Sequence, residues 1–132
     1  MSRVLLDTHL LLWAVGDPGK LSEAARKRID DGEVFVSAAS IWEVSIKVAL
    51  GKLAADPAEL LAEIEPAGFR LLSITGEHAA AVARLPPLHN DPFDRMLVAQ
   101  AKTEPLILLT NDVMLAGYGD PVELVTDSTR RR

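Results

Sequence analysis

The feature that most constrains the fold is a run at residues 106–110, in which four apolar residues precede a threonine. An uninterrupted apolar run is typical of a parallel strand that protein covers on both faces. Other short apolar runs alternate along the chain with segments of helical periodicity. We therefore predict a three-layer α/β/α sandwich around a central, mainly parallel sheet of about five short strands. The other strands are predicted at residues 4–6, 34–36, 69–74 and 122–125.

A second informative stretch, residues 89–101, begins as a loop and continues as a helix. Asp91 is a good N-cap because its carboxylate can accept from free N–H groups of the first turn. Pro92 suits the first helical position, where no N–H is required. Asp94 falls in the first turn, where the helix dipole favours a negative charge. Capping alone explains Asp94, so a chemical role for it depends on other acids in the chain.

Further helices are predicted where a capping residue precedes helical periodicity. They begin after Ser22, Ser37, Asp56 and Thr75. The helix after Thr75 carries His78, which we expect at the surface.

The composition indicates one domain over residues 1–132, with a frayed polar tail at 126–132. Cysteine is absent, which excludes disulfides and thiolate metal sites and fits a reducing compartment. No stretch reads as a signal peptide and the apolar runs are too short to cross a membrane, so a cytoplasmic location is expected. The net charge of −5 disfavours nucleic acid as a partner unless the acids hold cations, because a bound ion reverses the local charge.

Four acidic residues occupy positions that can converge. Asp7 and Asp112 come just after predicted strands, and Asp94 opens a helix, while Glu43 lies in a helix that is apolar nearly all round. Strand ends and the helix starts that follow them meet at one edge of a parallel sheet, where ligands bind. Two carboxylates about 4 Å apart repel each other by about 4 kcal/mol, so such a site must take up protons or a hard cation such as Mg²⁺ or Mn²⁺. The alternatives are helix capping for the aspartates and an ion pair with Lys47 for Glu43.

These motifs resemble those of the PIN-domain family, and specifically the VapC-type toxins of bacterial and archaeal toxin–antitoxin pairs. The resemblance rests on residues 4–8, 40–43 with 46–47, 89–101 and 109–112. Each motif is weak alone, but all of them in this order span nearly the whole chain. The resemblance implies the PIN-like form of the α/β fold.

The resemblance also implies a function. The matching positions of the family's acidic metal-binding quartet are Asp7, Glu43, Asp94 and Asp112. The implied activity is that of a Mg²⁺- or Mn²⁺-dependent endoribonuclease, which hydrolyses RNA phosphodiesters in the host cytoplasm. A homodimer and an antitoxin partner that blocks the site are implied as well.

Neighbours of the quartet carry further predictions. Thr8 and Asn111 adjoin proposed ligands and would orient them or a metal-bound water, although each is equally explained as a helix cap. Arg95 would bind a substrate phosphate with paired hydrogen bonds, or else face outward. His89 is interpreted as structural or exposed rather than as a general acid, because a metal can do that work.

Two other functions stay open at this point. One is a receiver-type, magnesium-binding signalling domain, which wants adjacent acids after the first strand. Here Asp7 stands alone before Thr8 and His9. The other is a PIN fold used only for binding, which an intact quartet disfavours.

Overall fold

The computed structural model describes residues 2–126 of the protein. Its strands are β1 (Arg3–Leu6), β2 (Glu33–Ser37), β3 (Arg70–Leu72), β4 (Ile107–Thr110) and β5 (Val122–Leu124). They form one five-stranded sheet in the order β3-β2-β1-β4-β5, and every neighbouring pair is parallel. The predicted sheet of about five short, mainly parallel strands is confirmed.

Helices connect the strands. They are α1 (Thr8–Gly16), α2 (Glu23–Asp31), α3 (Ala38–Ala49), α4 (Pro57–Ile64), α5 (Gly76–Ala81), α6 (Pro92–Thr103) and α7 (Val113–Ala116). The predicted caps are present, because each side chain accepts from an N–H of the first turn: Ser22, Ser37, Asp56, Thr75 and Asp91. The sequence did not predict α7, since one turn is too short to show a period.

The sheet separates two hydrophobic cores. Val4 and Leu6 of β1 point into the core that is formed with α1, α2 and α4. Leu5 points into the other, which is formed with α5, α6 and α7, and α3 contributes side chains to both. All three leucine and valine side chains are fully buried, and each such burial contributes roughly 1.5–3 kcal/mol. The uninterrupted apolar runs of the sequence are therefore explained by helices on both faces, and the three-layer sandwich is confirmed.

The strand order reverses between β1 and β4. From β1 the chain moves outward to β2 and β3, and it then returns to the other side of β1 to form β4 and β5. In open α/β sheets the crevice at such a reversal, beyond the carboxyl ends of the strands, is where ligands bind. Asp7 directly follows β1 and Asp112 follows β4 by two residues, so both stand at this crevice.

The expectation for His78 is wrong. Its side chain is fully buried under the contact between α5 and α6. Nδ1 accepts from the N–H of Thr75 at 3.0 Å, and Nε2 lies 2.5 Å from Glu104 Oε2. Because both ring nitrogens have partners, the imidazole can be buried without an unsatisfied polar group.

Two expectations are only partly addressed. Of the tail at 126–132, the residues from 127 onward lie outside those that the structure describes. Within residues 2–126, no helix combines the length and the apolar character that crossing a bilayer requires.

Candidate active site

The folding of the local chain determines where three of the acids stand. Asp7 is the N-cap of α1, with Oδ1 accepting from the N–H of Leu10 at 2.9 Å. Asp112 caps α7 through Oδ1, which accepts from the N–H of Met114 at 2.9 Å. Asp94 lies in the first turn of α6. Capping and a place in the site are therefore compatible, since a carboxylate that caps with one oxygen keeps the other for a second partner.

A threonine hydroxyl links the ends of β1 and β4. Thr110 is fully buried, and Asp7 is only 4% exposed. The Thr110 hydroxyl donates to Asp7 Oδ2 at 2.5 Å and accepts from the N–H of Asp112 at 2.9 Å. Burial raises the pKa of Asp7, although the hydrogen bonds from Thr110 and Leu10 act in the opposite direction. Thr110 thus fixes two acids of the quartet relative to each other.

Glu43 projects from α3 and is buried, with 6% of its surface exposed. Its Oε1 accepts from the Thr8 hydroxyl at 2.7 Å, and that hydroxyl also lies 2.9 Å from Ser40 Oγ. Its Oε2 lies 3.0 Å from Lys47 Nζ. The ion pair that the sequence offered for Glu43 is therefore formed. The same carboxylate also reaches across to the residue after Asp7.

The more open part of the site joins α6, α7 and the loop before α6. His89 Nε2 lies 3.4 Å from Asp94 Oδ2 and 3.5 Å from Asp112 Oδ2. Each of these three residues has one potential ligand atom within 4.8 Å of those of the others. The interpretation of His89 as structural or exposed did not place it beside Asp94 and Asp112. A loop has no regular period from which the orientation of a side chain could be predicted.

The pKa of Asp94 is affected by the surrounding acidic residues. Its pKa is raised from 3.8 to about 7, chiefly by burial and then by the charge of Asp91. The charges of Glu43 and Asp7 raise this pKa further, whereas His89 lowers it. Asp7 and Glu43 are therefore close enough to influence Asp94, and Asp112 has a potential ligand atom within 4.8 Å of one of Asp94, so the four predicted acids lie on one side of the molecule. Within the described part of the chain, Asp94 forms no ion pair with a lysine or arginine.

The arrangement can hold a hard cation. Asp94 and Asp112 have potential ligand atoms close enough together to bind one ion. Asp7 and Glu43 do not belong to this group, and their oxygens already have hydrogen-bond or ion-pair partners. Carboxylate oxygens are the ligands that Mg²⁺ and Mn²⁺ prefer. A divalent cation would neutralise the negative charge of the carboxylates that the neighbouring side chains do not balance.

The contacts of Arg95 differ from both predicted alternatives. Its guanidinium donates to the carbonyls of Pro86 and Val82, each at 3.1 Å, and to the Tyr118 hydroxyl at 3.2 Å. It also lies 3.5 Å from the carbonyl of His89. These contacts tie the loop before α6 to the helix, so they support a structural role rather than the predicted binding of a phosphate.

Two residues that were predicted to assist the quartet, Thr8 and Asn111, lie close to it. Thr8 caps no helix and instead hydrogen-bonds Glu43. Asn111 contributes a backbone hydrogen bond that lowers the pKa of Asp7. Thr110 and Ser40 were not singled out from the sequence, although both lie inside the motifs that carry the resemblance.

Comparison with known proteins gives a consistent result. The family model described as PIN domain matches residues 4–120. The chain is 31% identical over 130 residues to Ribonuclease VapC22 of Mycobacterium tuberculosis, covering 92% of this chain and 95% of that protein. A DNA-bound VapBC structure from Salmonella typhimurium aligns with a TM-score of 0.67 at 18% identity, over 96% of this chain and all of the other. A toxin–antitoxin complex from Klebsiella pneumoniae aligns with a TM-score of 0.65 at 16% identity, over 94% of this chain and 98% of the other. With a family match over most of its length and a sheet of the same architecture, the chain belongs to the PIN-domain family.

Proposed function

We propose that this protein is a divalent-metal-dependent endoribonuclease and the toxin of a toxin–antitoxin pair. The observation that carries the proposal is the meeting of Asp94 and Asp112, whose potential ligand atoms lie within 4.8 Å of each other, at a place where the charges of Asp7 and Glu43 also act on Asp94. Acids held in this way are suited to binding a cation, and the relative named Ribonuclease VapC22 supplies the reaction class. The family membership disfavours the receiver-type alternative.

The acidic quartet would hold the ion. Asp94 and Asp112 supply oxygens on the open side of the site, and Asp7 and Glu43 complete the negative charge behind them. We propose Mg²⁺ or Mn²⁺, since the donor set offers hard oxygens. When bound, such an ion polarises a phosphodiester and lowers the pKa of a bound water.

The chain's own contribution is preorganisation. Thr110 and Thr8 hold Asp7 and Glu43 at fixed orientations through hydrogen bonds of 2.5 and 2.7 Å. Both acids are at least nine-tenths buried, so little water competes for their oxygens. A site assembled in this way needs little reorganisation when substrate arrives.

The similarity to solved structures also suggests the protein partners. The Klebsiella pneumoniae structure is that of a toxin–antitoxin complex. We propose that this chain likewise pairs with an antitoxin that blocks its site, and that it forms a homodimer. We also propose that it acts in the cytoplasm.

The direct test is RNA cleavage by the purified protein. Cleavage should occur with Mn²⁺ or Mg²⁺, stop on addition of EDTA and resume when the ion is restored. Asp94→Asn, purified in parallel, should be inactive, which controls for contaminating nucleases. Cleavage that persists in EDTA would contradict the metal requirement. A 2′,3′-cyclic phosphate at the cut would show that the ribose hydroxyl, rather than water, attacks.

A further inference from the structure

We propose that His89 is a positioning residue, which places its Nε2–H between the carboxylates of Asp94 and Asp112 as a compensating dipole and is not itself a metal ligand. This inference rests on the metal site of the proposed function and adds a residue outside the acidic quartet. Its distances alone, 3.4 Å and 3.5 Å from the two carboxylates, would also suit a third ligand. The other ring nitrogen separates the two possibilities.

The backbone selects the tautomer of His89. Nδ1 accepts a hydrogen bond from the N–H of Asp91 at 3.1 Å. A nitrogen that accepts carries no proton, so in the neutral ring the proton resides on Nε2. A protonated Nε2 has no lone pair for a metal. To become a ligand, His89 would have to move its proton to Nδ1, where it would face the N–H of Asp91.

The loop that carries His89 is held in place. Arg95 donates to the carbonyls of Val82 and Pro86 on either side of the turn that precedes it. Asp91 contributes its N–H to His89 while its own carboxylate caps α6, accepting from Phe93 at 2.8 Å. The side chain of His89 is only 14% exposed. The loop backbone is therefore held by Arg95 and Asp91, and rotation of the ring away from the carboxylates would break its hydrogen bond with the N–H of Asp91.

A donor in this position has a specific effect. Asp94 and Asp112 repel each other when both are ionised, and one N–H between their Oδ2 atoms offsets part of that repulsion. Asp94 then keeps Oδ1 for a cation, while Asp112 caps α7 through Oδ1, and each Oδ2 atom keeps a second lone pair for the same ion. The metal site consequently consists of hard oxygen ligands, and ions that favour imidazole gain nothing from His89.

Binding of Mn²⁺ without RNA tests the proposal. Affinity should be measured by calorimetry for the wild type, His89→Gln and His89→Ala, because the amide nitrogen of glutamine can replace Nε2–H. We expect His89→Ala to weaken Mn²⁺ binding by about tenfold, at the lower end of the effects of such outer contacts. His89→Gln should remain within about threefold of the wild type, because a donor is retained. Pulsed electron paramagnetic resonance of bound Mn²⁺ should show no coupling to a directly bound nitrogen.

The outcomes separate this inference from the proposed function. Coupling to a nitrogen that disappears in His89→Gln would make His89 a ligand and overturn the inference, as would unchanged Mn²⁺ affinity in a folded His89→Ala. If His89→Ala does not fold, the spectrum of the wild type and the affinity of His89→Gln still decide. RNA left uncut by a protein that binds Mn²⁺ and shows the expected pattern would overturn the ribonuclease proposal alone. Asn90→Ala, at an exposed position next to His89 on the same loop, provides the matched control and should change the affinity by less than about threefold.

Discussion

The two halves of the acidic site are built differently. Asp7 and Glu43 are buried, and their oxygens accept from hydroxyl and N–H groups or lie against an ammonium group. Asp94 and Asp112 lie on the open side, where the Oδ2 atom of each lies within 3.5 Å of His89 Nε2. The first pair is oriented by folding, whereas the second retains charge that the described side chains do not neutralise.

This difference assigns the halves separate tasks. Buried carboxylates are tolerated only when partners satisfy their oxygens, so the first pair is positioned at the same time as the sheet forms. The open pair raises the free energy of the metal-free protein when it ionises. Binding of a cation there should therefore stabilise the fold as well as enable the chemistry. Removing the charge of Asp94 from the open pair should raise stability and abolish activity, whereas damage to the buried pair should lower both.

Asp94→Asn provides the largest expected effect. The amide keeps the size of the side chain and loses the charge that a cation requires. RNA cleavage should fall by more than about 100-fold, beyond the range typical of contacts outside the ligands. At the same time the free energy of unfolding of the metal-free protein near neutral pH should rise, because a largely buried charge disappears. Cleavage rates and urea titrations in EDTA measure the two effects.

Asp91→Asn is the matched control for this substitution. Asparagine caps helices as well as aspartate does, so the free energy of unfolding should stay within about 0.5 kcal/mol of the wild type. The change also removes a charge that raises the pKa of Asp94, and that pKa should fall. Equal loss of cleavage in both variants would mean that the cluster needs only its summed charge, and Asp94 would lose its special role.

Thr110→Val tests the buried half. The substitution preserves shape but removes the hydroxyl between Asp7 Oδ2 and the N–H of Asp112. A buried acceptor and a donor are left without this partner, so the free energy of unfolding should drop by about 1–3 kcal/mol. Cleavage should fall by about 10–100-fold through misplacement of Asp7. Thr103→Val, which removes an exposed hydroxyl bonded within α6, should leave both nearly unchanged. A similar loss in both variants would rule out a bridging role for Thr110.

The sheet and the position of the quartet could be predicted from sequence because both follow from simple rules. Apolar runs such as residues 106–110 mark strands that are covered on two faces. Acids just after such strands, here Asp7 and Asp112, collect at one edge of the sheet. Neither rule requires knowledge of which strands are neighbours.

Thr110 and His78 could not be predicted in this way. A threonine that ends a strand is unremarkable until β1 is known to lie beside β4, and only then does its hydroxyl become a bridge. His78 was expected at the surface, and its own helix contains no partner that would indicate burial. Its burial depends on α6, which supplies Glu104 as a partner for Nε2. In both cases the missing information is a contact between segments distant in sequence.

The stability of the metal-free protein should fall as pH rises from about 4 to about 7. Asp94 has a folded-state pKa of about 7 against an ordinary value of 3.8, so in this window the folded state keeps a proton that the unfolded state has lost. The stabilisation that protonated Asp94 contributes is complete when the pH is below its pKa in the unfolded state. It is lost when the pH is above its pKa in the folded state. At about 1.4 kcal/mol for each pKa unit the upper limit is about 4 kcal/mol, and about 2 kcal/mol is expected after allowing for solvent.

Urea titrations in EDTA at pH 4.5 and pH 7.5 should measure this change. Asp94→Asn should lack most of it, and the comparison with the wild type removes contributions from other groups. Saturating Mn²⁺ should reverse the loss at pH 7.5, by about 2.7 kcal/mol at 100 times the dissociation constant. If the wild type and Asp94→Asn show the same pH dependence, the charge of Asp94 is already neutralised in the folded protein and the contrast between the two halves fails.

Lys47→Gln should give the smallest effect and tests whether the buried half is fully supported without its ion pair. Lys47 Nζ lies 3.0 Å from Glu43, but the lysine side chain is 43% exposed, so the free energy of unfolding should change by less than about 0.5 kcal/mol. The substitution also removes a positive charge near the site, and Mn²⁺ should bind about two- to threefold more tightly at low salt. Lys52→Gln, on the loop after α3, is the control and should have less influence. Weaker Mn²⁺ binding in Lys47→Gln would mean that the ammonium group orients Glu43, in which case the Thr8 hydrogen bond alone does not hold that acid in place.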